Sequence, residues 1–182
     1  MSDLRGNSII GAALAAVLAL PAQAVELHFC WRGGAGYTMT GLMAFPDALL
    51  SAPRVTEEDV TRFEITGWRH GVRVGGWSLA ALTPDTSWRL EFDPVERRFV
   101  MPGIGVFQAW NADGGVADCG KPGFGFNAGS GGQDVCVDGR FVTESTIPWE
   151  TPLFAGPTPV EPDCLENLQL SGNLPEFVQT PS

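Results

Sequence analysis

Asn111, Asp113 and Asp118 bring three oxygen-bearing side chains together in the stretch NADGGVAD. Calcium takes carboxylate and carbonyl oxygens in flexible loops, so these residues are the metal candidates of the chain. The stretch is not an EF-hand, because Gly115 stands at the third ligand position and no glutamate closes the loop. An Asp/Asn/Gly turn accounts for the same letters. A second stretch, CGKPGFGFNAGSGGQDVC, runs from Cys119 to Cys136. Its glycines suit a phosphate cradle, a ligand loop, or a surface loop that a disulfide holds in shape. A nucleotide fingerprint needs its glycines between a strand and a helix, because the helix N-terminus supplies the amide donors. Here the spacing differs and β signals follow, which leaves a disulfide-held surface loop as the reading. If the loop contacts a ligand, its polar groups are Asn127, Ser130, Gln133 and Asp134.

Aromatic chemistry is the next possibility. The tryptophans are Trp31, Trp68, Trp77, Trp88, Trp110 and Trp149, and a row of exposed ones on a sheet would stack on sugar rings. Most stand within β runs and fill a core, while Trp68 and Trp110 are the members expected at a surface. The expected ligand set is therefore Trp68, Trp110, Asn127, Gln133 and Asp134. No G-x-S-x-G or H-E-x-x-H occurs, and His28 and His70 stand far apart in the chain. A nucleophile needs a base within reach, and none is identified, so no catalytic residue and no cofactor is expected. Carboxylates paired for glycoside hydrolysis remain a distant third reading, since no pair is singled out.

The four cysteines are Cys30, Cys119, Cys136 and Cys164, without a C-x-x-C that would suit zinc. An even number in an exported chain reads as two bridges, with three possible pairings. Cys119 with Cys136 and Cys30 with Cys164 is the favoured pairing, one flanking the glycine-rich stretch and the other tying the termini together.

These residues need elements to position them. The chain opens MSDLRGNSIIGAALAAVLALPAQA, with an apolar run and an Ala-Gln-Ala box that read as a signal peptide over residues 1–24, cut before Val25. The run is too short to span a bilayer, so no membrane insertion of the mature form is expected. LHFCW, YTMTGLMAF, FEIT and WRLEF alternate apolar residues with the period of two of half-buried strands. Asp138-Gly139 predicts a tight type I′ hairpin, and Thr56 with Asp59 predicts a capping box opening one short helical turn. The fold class is therefore all-β, an antiparallel β-sandwich or open barrel over 25–150, followed by a Pro-rich irregular tail over 151–182 pinned through Cys164. A brief helical turn is expected over 165–170. The net charge is −10, and no Lys or Arg follows Arg140. That balance excludes nucleic acid and anionic membrane surfaces as expected partners, leaving a glycan or an envelope protein.

YTMTGLMAF, VTEEDVTRFEITGWRHGVRVGGWSL, FDPVERRFV and GFGFNAGSGGQDVCVDG together resemble a class of exported bacterial domains whose relatives often carry a PEP-CTERM sorting tail. The resemblance covers about Tyr37 to Ile147 and implies a β-rich extracytoplasmic domain, with no activity or site residues. The sorting signature itself is not expected in this chain. The function expected from these readings is a noncatalytic exported β-sandwich module, structural or envelope-associated, in the periplasm or the medium. A carbohydrate-binding module is the alternative.

Overall fold

A computed structural model describes residues 23–164 apart from 104 and 115–118. The chain is all-β, its only helical pieces among the described residues being short 3-10 turns. The first half forms β1 (Ala24–Arg32), β2 (Tyr37–Pro46), β3 (Val55–Thr56), β4 (Arg62–Arg69), β5 (Val72–Ser78), β6 (Trp88–Arg89) and β7 (Glu91–Asp93). There follow β8 (Arg98–Phe99), β9 (Gln108–Trp110), β10 (Phe124–Gly129), β11 (Gly132–Val137), β12 (Arg140–Phe141) and β13 (Ala155–Gly156). Two antiparallel five-stranded sheets, β13-β1-β2-β4-β5 and β12-β11-β10-β9-β6, are joined by a small sheet β3-β7-β8. The arrangement is a sandwich and not a closed barrel.

Alternation along the strands builds the core. Leu27, Phe29 and Trp31 of β1, Met39, Met43 and Phe45 of β2, and Phe63 and Ile65 of β4 face inward. They meet Trp110 of β9 and Phe124 and Phe126 of β10 from the second sheet. Trp110 is central: its ring lies 5.4 Å from Phe29, 4.9 Å from Phe63 and 4.7 Å from Phe126 by centroids. Two strand glycines admit these rings, since a Cβ on Gly41 would strike Phe29 and one on Gly67 would strike Phe124. The hairpins close as their residues require. His70-Gly71 and Asp138-Gly139 both take positive φ, at 49° and 78° and at 49° and 75°.

The structure corrects the reading of Cys119 to Cys136 as a surface loop. Most of it is the hairpin of β10 and β11, paired in register from Phe124↔Val137 to Gly129↔Gly132. Phe124, Phe126, Ala128 and Val135 are wholly buried. The glycines alternate with these apolar residues, so a loop-like composition conceals a core strand. Gly125 leaves room for the chain at Asn111 and Ala112, which crosses the outer face of the hairpin.

A second correction concerns Thr56 and Asp59. The capping hydrogen bonds form, with the Thr56 amide and hydroxyl donating to Asp59 Oδ2 at 2.9 and 3.1 Å. They close a turn after β3 and start no helix, because buried Val60 follows at once and the chain enters β4. The 3-10 turns lie instead at Asp47–Leu49, Leu79–Ala81 and Thr143–Ser145.

The described part of the Pro-rich segment is not irregular throughout. Leu153 and Ala155 are buried, and β13 pairs with β1 through His28↔Gly156 and Phe29↔Ala155. The disulfides are Cys30–Cys164 and Cys119–Cys136, the pairing favoured from the sequence. The helical turn expected over 165–170, the rest of the tail and nearly all of the signal peptide lie outside the described residues.

Candidate functional site

An open cleft of about 630 Å³ lies over the β10–β11 end of the second sheet. Its walls include Phe107, Trp149 and Pro102, and its polar groups are Asp113, Asn127 and Ser130. Both aromatic rings are substantially exposed, Phe107 by 38% and Trp149 by 42%. The backbone beside each is held from below. Gln108, wholly buried and next to Phe107, donates to the carbonyls of Glu91 and Val100 at 2.8 and 2.7 Å. It also accepts from the Glu91 amide at 3.2 Å. Gln133, equally buried, accepts from Trp31 Nε1 at 2.9 Å and donates to the carbonyls of Trp149 and Thr151 at 3.0 and 2.6 Å.

Asn127 and Asp134 are cross-strand partners on the outer face of the hairpin. Asn127 is nearly fully buried although it points outward, because Gly114 of the crossing chain lies against it. Gly114 has φ +80°, and a Cβ there would meet the Asn127 amide at 2.8 Å. Asn127 Nδ2 donates to Asp134 Oδ1 over a long 3.5 Å. Burial pushes the Asp134 carboxyl above the usual aspartate range, and the hydrogen bond from Asn127 pulls the other way.

The expected ligand set is therefore split. Trp110 lies in the centre of the core with no exposed surface, so it presents no face to a ligand. It is buried because the first sheet covers it, which no local pattern around NADGG discloses. Trp68 is half-buried on the outer face of the first sheet, its indole donating to Thr40 Oγ1 at 3.1 Å, on the other side of the sandwich from Gln133. Gln133 is a structural amide. Of the set, Asn127 alone lines the aromatic cleft, with Asp134 beside it. Sequence reasoning overlooked Phe107, and it passed over Trp149 as a surface member. Trp149 follows Pro148 outside any alternating run, a signal that it had left the strands.

The calcium candidates are likewise dispersed. The Asn111 amide donates to the carbonyls of Cys119 and Phe124 at 3.1 and 2.9 Å and lines a different cleft from Asp113. Asp118 lies outside the described residues. Among the described residues no group of three His, Cys, Asp or Glu side chains is placed to hold a metal ion. The histidines also stand apart: His28 approaches Glu26 at 3.5 Å on β1, while His70 sits in the β4–β5 turn against Gly36.

The site thus offers aromatic faces, two neutral hydrogen-bonding groups and the Asp113 carboxylate on a braced backbone, an arrangement that can bind. No protein-family model matches the chain, and no curated protein and no solved structure matches it either.

Proposed function

We propose that this chain is a noncatalytic exported β-sandwich module that works by presenting its surface within an envelope or matrix assembly. The observation that supports this reading is that polar side chains packed within the fold are taken up in holding it together. Gln108, Gln133, Asn111 and Ser145 all hydrogen-bond to backbone that closes the sandwich, and all four cysteines are in disulfides. Two bridges suit an oxidising compartment, where they persist. Among the described residues no helix is long and apolar enough to cross a membrane.

The leader reading adds a boundary. Strand β1 begins at Ala24, the residue before the expected cut, so the mature chain would enter the sheet almost at its first residue. Expression of the whole chain with its own leader in a bacterial host tests the proposal. The expected product is recovered from the periplasm or medium, begins at Val25, and carries two intramolecular disulfides. A reduced product kept in the cytoplasm with its leader intact would refute it.

A further inference from the structure

Two wholly buried glutamines brace the backbone beside two exposed aromatic rings, and both rings line one cleft. Burying an amide is tolerated only when its hydrogen bonds are met, and here they hold the segments carrying Phe107 and Trp149 in place. A ring on a braced backbone offers its face with little left to order on binding. Trp149 also lines a second cleft of about 280 Å³ with Arg54, Asp93, Arg98 and Glu150. Trp149 is the lining residue the two clefts share, so its ring stands between them.

The chemistry of the larger cleft selects its ligand. The Arg89 guanidinium already lies over the Phe107 ring, 4.9 Å from its centre, so a cationic ligand would meet a like charge there. An anionic one would meet Asp113 and a chain of net charge −10. A neutral ligand with alternating apolar and hydroxylated faces suits both the rings and the amide and hydroxyl of Asn127 and Ser130. We infer that the Phe107–Trp149 cleft binds a neutral glycan chain, with Trp149 as the stacking platform and Asn127 and Ser130 as hydroxyl partners. The inference goes beyond the module reading, and the module stands if the cleft binds nothing.

Isothermal titration of the oxidised protein tests it, using hexaoses of β-1,4-glucose, β-1,4-xylose, β-1,4-N-acetylglucosamine and α-1,4-glucose, with hexagalacturonate as the charged control. At least one neutral hexaose is expected to bind. Trp149→Ala should then weaken it about tenfold or more. That substitution keeps the carbonyl that Gln133 holds, and an unchanged melting midpoint verifies the fold. Phe107→Ala should weaken the same glycan, whereas Val72→Ala, at the exposed start of β5, should not. Absence of binding by every neutral hexaose at millimolar concentration would overturn the inference. So would affinity that both aromatic substitutions leave unchanged, or hexagalacturonate binding as tightly.

Discussion

Asp134 is the one acidic side chain of the hairpin whose environment opposes its charge. Burial raises its carboxyl above the usual range, with only the long hydrogen bond from Asn127 acting against this. The folded carboxyl therefore holds its proton more tightly than the unfolded one. The resulting stabilisation is complete below the unfolded value and is lost as pH rises through the raised one. Asp134→Asn keeps an oxygen for Asn127 and removes the charge. It is expected to melt higher than the unaltered protein at neutral pH, with the difference vanishing below about pH 4, where both side chains are neutral. Thermal unfolding across that range measures it, and an equal midpoint at neutral pH contradicts the assignment. This residue was legible in sequence only as a polar member of a glycine-rich stretch. Its cross-strand partner Asn127 is covered by Gly114, an approach that local spacing does not encode.

At the scale of elements, β11 is the hub, since Gln133 joins it to β1 through Trp31 and to the segment after Ile147 through two carbonyls. Gln133→Leu would take this partner from the buried Trp31 indole and from two part-buried carbonyls. The expected loss is about 2 to 4 kcal/mol, because each unmatched buried group carries its full desolvation penalty. It should appear in urea unfolding as a lower midpoint at unchanged slope. The strands β1, β2 and β4 were legible because LHFCW, YTMTGLMAF and FEIT alternate cleanly, and Asp138-Gly139 because few residues accept positive φ. The β10–β11 hairpin was not, since its glycines mimic a loop while Phe124, Phe126 and Ala128 keep the period of two. The helical turn expected after Thr56 failed for a related reason. Its capping bonds are local, but the direction of the chain beyond them is set by Val60 entering the core.

The whole molecule is held by a lacing of the two sheets. From Thr151, tied to Gln133, the chain passes β8, where the Phe99 amide donates to the Leu153 carbonyl, and then pairs as β13 with β1. It continues over the outer face of the first sheet. There Thr38 Oγ1 donates to the Pro162 carbonyl at 2.6 Å and Arg32 to the Asp163 carbonyl at 2.7 Å, before Cys164 closes on Cys30. The sequence disclosed that this segment is pinned, through Cys164, but not that it supplies a strand, because Leu153 and Ala155 stand among prolines without an alternating run. The Cys30–Cys164 bridge closes a separation of 134 residues and Cys119–Cys136 one of 17. By chain entropy these contribute roughly 5 and 3 kcal/mol, less any native strain. The two bridges hold the sandwich together, and thermal unfolding of the oxidised protein beside the fully reduced one measures how much of its stability they supply. Reduction is predicted to lower the midpoint by more than about 10 °C, at roughly 2 to 4 °C per kcal/mol for a chain of this size. An unchanged midpoint with all four thiols verified free would contradict the account.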